Sequence, residues 1–243
     1  MKNKAELDND FITIWSHYIL SQSKSAAFYE VAKLAELGQL DAQQKWFLIS
    51  GNLQCDAVNR QVKEYKTDDY MQCLVLANKY YNAEKDVLKM LIKDMKSQDT
   101  KAGYQSYRFD ITQLNYYRYL SQAISLCDEK IKSGNGTLFD QEMYLEMMLQ
   151  NPLHTDEDLK NYRKVRSALA CEYCKDKSDP KIAFALSMNY RNFGRKKINT
   201  YKSNLILQRL SQRKLSKTYE NHRGPSVRVN EDKNITVFIK KID

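Results

Sequence analysis

The spacing best suited to chemistry in this sequence is Cys171-Glu-Tyr-Cys174, because a CxxC pair can hold a metal ion or exchange thiols. A structural zinc site needs four ligands, yet no second CxxC and no HxxxH follows this pair in the sequence. Both cysteines fall inside a helical pattern, so we expect ordinary buried or half-buried side chains. An enzyme with a thiol or metal centre at Cys171 and Cys174 is the third of three hypotheses about function.

The other residues with catalytic potential form no familiar constellation. Glu142 and Glu146 place two carboxylates one helical turn apart, but no ExxH motif accompanies them as a di-metal bundle requires. His17, His154 and His222 are far apart in the sequence. It contains no phosphate-binding loop, no GxGxxG, no HExxH and no GxSxG. We therefore predict a protein without enzymatic activity, cofactor or metal.

Positive charge is concentrated near the C-terminal end. Residues 191–241 contain 14 Lys or Arg and 3 Asp or Glu, a net +11, whereas the whole chain carries +9. Such a cluster gains free energy from a polyanion, because binding releases the counterions that nucleic acids condense. The leading hypothesis is a protein that binds the phosphate backbone of DNA or RNA. The predicted contacts are Lys196, Lys197, Lys202, Arg209, Arg213, Lys214, Lys217, Arg228 and Lys233.

A basic helix is predicted over residues 195–219. Lys202, Arg209, Arg213 and Lys217 fall within an arc of about 80° at 100° per residue. A neighbouring arc is apolar and is predicted to dock on the rest of the protein: Ile198, Tyr201, Leu205, Leu215 and Tyr219. The pattern is imperfect, since Ile206 and Leu210 lie at the edge of the basic arc.

The order of elements around this helix is that of a winged helix-turn-helix. A helix ends near Gly194, the basic helix follows, and residues 227–229 and 235–239 are rich in β-branched residues around a polar loop. This pattern predicts a C-terminal β-hairpin that packs on the helices. In that layout the second helix enters the major groove and the hairpin contacts the backbone. The likeness is one of layout alone.

The same charge and the tyrosines support other interpretations. A solvated basic face, an acidic protein or an anionic membrane surface would suit the same positive field. The chain has 17 tyrosines, and Tyr116, Tyr117 and Tyr119 cluster in one predicted helix. The alternative function is therefore a helical-repeat-like adaptor with a Tyr-rich surface for a protein partner or self-association. The run from Tyr190 to Phe193 mixes rings with a cation and could stack on bases.

The elements that must position these residues are mostly helices. Only 7 Gly and 3 Pro occur in 243 residues, which disfavours sandwiches, barrels and Gly-rich nucleotide-binding folds. Apolar residues recur at helical spacing over 8–22, 25–37, 41–58, 69–81, 83–97, 105–132, 139–149, 155–173, 180–193 and 195–219. The predicted fold is mainly α, either an antiparallel bundle or a short irregular solenoid, with the C-terminal hairpin.

Two domains are predicted, although one continuous domain would also fit. Residues 1–150 would form a helical scaffold, and residues 151–243 a basic helical module ending in the hairpin. We expect a cytoplasmic protein, because no secretory signal opens the sequence and no apolar run approaches the 18 residues that span a membrane. The odd number of cysteines, five, also favours reduced thiols.

Overall fold

The computed structural model describes residues 2–20, 69–98, 100–194, 197–216, 227–229 and 235–237. Its helices are α1 (Lys2–Leu20), α2 (Tyr70–Ser97), α3 (Lys101–Gln113), α4 (Asn115–Lys132), α5 (Leu138–Gln150), α6 (Tyr162–Lys175), α7 (Pro180–Asn192) and α8 (Lys197–Ser211). The protein is therefore mainly helical, as predicted. The helices predicted over 25–37 and 41–58 lie outside the described residues.

Several helix starts are set by local capping and lie close to where the predicted ranges begin. The Asp69 carboxylate accepts a hydrogen bond from the Met71 amide at 2.9 Å and begins α2. Thr137 and Asp140 form a reciprocal capping box at α5. Asp179 caps α7, and Pro180 occupies its first turn. These helix starts depend on hydrogen bonds between residues that are close in the sequence, so they can be predicted without the tertiary structure.

Three predicted helix boundaries in the first half of the chain are wrong. Helix α1 begins at Lys2 instead of residue 8. The segments 69–81 and 83–97 are one continuous helix, α2. The single helix predicted over 105–132 is instead split at Leu114, whose backbone is extended. The split is stabilised from a distance, because the Glu84 carboxylate on α2 accepts hydrogen bonds from the Asn115 and Tyr116 amides at 3.3 and 2.9 Å. A carboxylate 31 residues away thus caps α4.

The predicted start of α6 is also wrong. The Asp158 carboxylate does accept hydrogen bonds from Thr155, at 2.7 Å from its amide and 2.8 Å from its hydroxyl. The chain then continues as turns, and α6 begins only at Tyr162. Thr155 and Asp158 therefore close a turn rather than open a helix.

The helices pack largely as antiparallel neighbours. On one side α2 contacts α3 and α4, and the pairs Tyr80–Tyr119 and Tyr81–Tyr116 show that α2 and α4 run in opposite directions. From there α4 contacts α5, and α5 contacts α6 and α7. On the other side α7 lies between α6 and α8, and α1 returns to pack on α8 and α7. The division into domains at residue 150 stays a prediction.

A deeply buried stretch of the chain runs through α7. Residues from Ala183 to Ser187 are all at most 2% exposed. A helix buried on several sides must be apolar around its circumference. Here α5, α6, α8 and α1 all contact α7, which makes it the central element of this half of the molecule.

A buried carboxylate, that of Asp140, joins helices α2, α4 and α5. Asp140 is 4% exposed and accepts hydrogen bonds from the Tyr70 hydroxyl at 2.6 Å and from Lys130 at 2.9 Å. Its second oxygen accepts from the Thr137 amide and hydroxyl, each at 2.8 Å. Burial alone would raise the pKa of Asp140, but the hydrogen bonds from Tyr70, Thr137 and Lys130 hold the pKa below its usual value. The capping residue of α5 therefore also ties α2 to α4.

Two three-residue segments near the C-terminus pair as antiparallel strands, β1 (Val227–Val229) and β2 (Ile235–Val237). Their side chains and the loop between them lie outside the described residues. The predicted hairpin that packs on the helices therefore stays a prediction. Among the described residues, no helix is long and apolar enough to cross a membrane.

Asp140→Ala should destabilise the fold far more than Asp158→Ala. Both aspartates bind a threonine amide and hydroxyl three residues earlier, but only Asp140 is buried beside a lysine and a tyrosine. Removing a buried partner leaves the others unpaired, so we expect Asp140→Ala to lower the free energy of unfolding by about 3 kcal/mol. Asp158→Ala should cost less than about 1 kcal/mol. Urea unfolding followed by circular dichroism measures both; equal losses would contradict this account.

Candidate nucleic-acid interface

Cations and aromatic rings alternate across α6, α7 and α8. Arg163 and Arg166 both lie over the Tyr162 ring, at 5.6 and 5.3 Å from its centroid. Arg166 also lies 5.1 Å from the centroid of Tyr190, and Lys202 lies 5.5 Å from the same ring. We call these five residues the cation–ring row. Because one row crosses three helices, it joins the basic helix α8 to α6 in a single surface.

The cation–ring row holds its cations in place. A cation over a ring gains about 0.5–1 kcal/mol at an exposed site and gives up some of its freedom. The ring of Tyr162 is itself stacked on Phe193, with centroids 5.4 Å apart. Cations fixed before a ligand arrives lose less side-chain entropy on binding.

Two more cations are anchored to neighbouring elements. Arg209 is on α8, but α8 ends at Ser211, so the helix predicted to continue through Arg213 is too long and Arg213 lies beyond its end. Arg209 donates a hydrogen bond to the Tyr173 hydroxyl of α6 at 3.2 Å. Arg213 donates to the Ser178 backbone carbonyl, just before α7, at 2.8 Å. Arg209 nonetheless stays exposed, while Arg213 is half-buried. The surface therefore extends along α8 from Lys202 toward its C-terminal end.

The structure describes five of the nine predicted phosphate contacts. Of these, Lys197, Lys202, Arg209 and Lys214 are exposed and Arg213 is half-buried. Lys196, Lys217 and Lys233 lie outside the described residues, and Arg228 lies in β1, where no side chain is described. The contributions of Arg163, Arg166 and Tyr162 were missed by sequence reasoning, because only the packing of α6 on α7 brings them to Tyr190.

The face on which α8 docks differs from the prediction. Its buried residues are Ser203, Ile206, Leu207 and Leu210. Of the apolar residues predicted to dock, Ile198, Tyr201 and Leu205 are exposed instead. Leu215 does pack half-buried against the core, and Tyr219 lies outside the described residues. The buried set follows i, i+3, i+4, i+7 spacing, but the small polar Ser203 conceals it in the sequence. In the sequence, this buried face was indicated only by the position of Ile206 and Leu210 beside the basic arc.

A buried polar network supports Arg166 from behind. Its Nε donates to Asn189 Oδ1 at 2.7 Å, and a terminal nitrogen donates to the Asn189 carbonyl at 3.2 Å. The Asn189 amide nitrogen donates to Glu142 Oε2 at 2.5 Å. Asn189 and Glu142 are at most 1% exposed, so this network fixes a surface arginine to the core.

Glu142 and Glu146 form a buried carboxyl pair behind the surface. They are 1% and 5% exposed, and the Asn192 amide donates to Glu146 at 3.1 Å. Burial raises the pKa of Glu146 to about 8. Burial and the nearby Glu146 raise the pKa of Glu142, while hydrogen bonding by Asn189 and the charge of Arg166 act against this. Glu142 Oε1 is buried without a hydrogen-bond partner among the described residues, which favours the neutral carboxyl form.

The remaining chemical candidates are placed elsewhere. Cys171 and Cys174 are both exposed on α6, which contradicts the prediction of buried or half-buried side chains. They fall on the outward part of α6, whereas Val165 and Leu169 are its buried residues. Within the described part of the chain, no group of three or more His, Cys, Asp or Glu could hold a metal ion.

The tyrosine cluster predicted as a partner surface takes part in helix packing. Tyr116 is 3% exposed, and its hydroxyl donates to the Gln150 carbonyl at 2.9 Å. Tyr119 stacks on Tyr80 with centroids 5.5 Å apart, and Tyr117 is half-buried against the core. These residues therefore stabilise the packing of α2 on α4 more than they offer an open surface.

Stability should fall as pH rises from about 4.5 to about 8, because of Glu146. In this window the folded state keeps the carboxyl protonated while the unfolded chain ionises it. Each unit of pKa difference is about 1.4 kcal/mol, so a change of a few kcal/mol is expected. Glu146→Gln mimics the neutral form and should reduce this dependence, leaving the part that comes from Glu142, as measured by urea unfolding at several pH values. Glu129→Gln, at an exposed position of α4, is the control that should leave the dependence unchanged.

Comparison with known protein families, curated protein sequences and solved structures finds no match to this chain. The surface is therefore interpreted from the chemistry of its own residues. Those residues are cations held by rings, hydrogen bonds and a buried polar network on three packed helices.

Proposed function

We propose that this protein is a non-enzymatic nucleic-acid-binding protein that contacts the phosphate backbone through α6, α7 and α8. The observation that carries the proposal is the cation–ring row. It links the basic helix to two cations of α6 that lie outside the C-terminal charge cluster. A polyanion would meet cations from several elements at once, and release of its counterions would supply the main free energy of binding.

The spacing along α8 suits a ligand with regularly repeated charges. Lys202 and Arg209 lie seven residues apart, which is about 10 Å along the helix axis at 1.5 Å per residue. Arg213 follows just beyond the end of α8 at Ser211. A nucleic-acid strand carries one phosphate per nucleotide, about every 3.4 Å along the axis in duplex DNA, so each of these cations would meet phosphates.

We include the C-terminal segment in the proposal because it is positively charged. Lys217, Arg228 and Lys233 follow α8 in the sequence and would extend the positive field. The winged layout and a cytoplasmic location likewise belong to the proposal. Arg228→Ala in the full chain tests whether this segment contributes.

Binding should depend steeply on salt, and the slope should depend on α8. We expect the triple substitution Lys197→Ala, Lys202→Ala and Arg209→Ala to weaken binding to labelled oligonucleotides at least tenfold. The slope of log K against log salt should fall by about 0.7–0.9 for each phosphate that is no longer bound. Fluorescence anisotropy between about 50 and 200 mM salt measures both quantities.

A matched control distinguishes the loss of a local interface from a general loss of positive charge. Lys89, Lys93 and Lys96 are exposed on α2, which packs against α3 and α4. Replacing these three lysines by alanine removes the same charge and should leave the slope nearly unchanged. Equal effects of the two triple variants would contradict a site on α6–α8, and no binding at the lowest salt would overturn the proposed function.

A further inference from the structure

An exposed apolar stripe lies beside the cations of α8. Ile198, Tyr201 and Leu205 are 57%, 62% and 38% exposed and follow i, i+3, i+7 spacing on one side of the helix. Single exposed apolar residues are ordinary, but a contiguous line of them marks a binding surface. The stripe is on the side of α8 opposite the residues that pack on the protein body, so it faces outward.

Cations flank this stripe closely. At 100° per residue, Lys202 and Arg209 lie about 20–40° from Ile198 around the helix axis, and Tyr201 lies about 60° away on the other side. Both cations are exposed. A ligand that lies along α8 would therefore meet apolar surface and positive charge side by side over about 16 Å, from Ile198 to Arg209.

The ring of Tyr201 differs from the other rings of the interface. Tyr162 and Tyr190 already have cations over their rings, and Tyr162 is stacked on Phe193. Tyr201 is the most exposed of these tyrosines. It is therefore the ring most available to a base.

These features favour unpaired bases over a closed duplex. A duplex presents phosphates and groove edges, while the faces of its bases are stacked on one another. An apolar stripe gains little from phosphates, whereas an unpaired base can stack on a ring and pack on aliphatic side chains. A positively charged surface with an open aromatic ring is the usual composition of a single-strand site.

We infer that the nucleic acid bound by α6–α8 is single-stranded, with Tyr201 stacking on a base and Ile198 and Leu205 packing beside it. Lys202 and Arg209 contact the adjoining phosphates. This inference rests on the proposed function and adds the class of nucleic acid to it. A stretch of a few nucleotides would cover the stripe, within the range of about 4–16 nucleotides known for compact single-strand sites.

The test compares two single strands with a duplex of the same length, which carries about twice as many phosphates. Labelled oligothymidylate, oligouridylate and a DNA duplex are titrated against the full chain by fluorescence anisotropy at one salt concentration. We expect the single strands to bind at least tenfold more tightly than the duplex. A duplex that binds equally or better overturns the inference while the proposed function stands; failure of all three ligands overturns both.

Substitution of the ring identifies its role. Tyr201→Ala should weaken single-strand binding about tenfold, since one base stacked on an aromatic ring contributes about 1–3 kcal/mol. Its salt slope should not change, because every cation that binds a phosphate is still present. Tyr201→Phe keeps the ring and should bind like the wild type. Phe109→Ala removes an equally exposed ring, 64% exposed, from α3 and is the control.

A polyanionic peptide tests whether the surface instead binds an acidic protein. Poly-glutamate at matched charge should displace labelled oligothymidylate poorly, because it offers charge but no planar base. Displacement as effective as that by unlabelled oligothymidylate would overturn the inference, since the surface would then recognise charge or an acidic protein. An unchanged affinity of Tyr201→Ala for oligothymidylate would overturn it as well.

Discussion

The burial of α7 is the constraint on which the basic half of the molecule depends. Its residues from Ala183 to Ser187 are almost fully enclosed because α5, α6, α8 and α1 all pack around it. This packing orders α6 and α8 on either side of α7 and brings Tyr190 between them. Without a buried α7, the cations of α6 and those of α8 would belong to separate surfaces.

The same packing creates the polar network at the end of α7. Asn189 is fully buried and must satisfy its amide inside the protein, and it does so with Glu142 and Arg166. The buried carboxyls in turn stay neutral over much of the pH range, since their charged forms would have to give up hydration. Stability, surface geometry and protonation are thus coupled through a few residues where α5 packs on α7.

Local chemistry accounts for the parts of the fold that could be predicted. The helical class, the caps at Asp69 and Thr137, the Pro180 start and the concentration of charge on α8 all follow from neighbouring residues. Part of the site could be predicted for the same reason, since Lys202 and Arg209 belong to a basic helix that can be recognised in the sequence. Tyr162 and Arg166 could not be predicted as part of the site, because their helix lies outside the C-terminal charge cluster. Its position beside Tyr190 depends on packing.

The sequence by itself determined which segments are helical and where positive charge accumulates, because helix caps, apolar periodicity and charge act over a few residues. Tertiary structure decided which face each helix buries. It placed Ser203 and Leu207 of α8 inward and left Tyr201 exposed, and it capped α4 with Glu84 from α2. A helix with apolar residues on two arcs can bury either one, and only the shape and chemistry of its neighbours select between them.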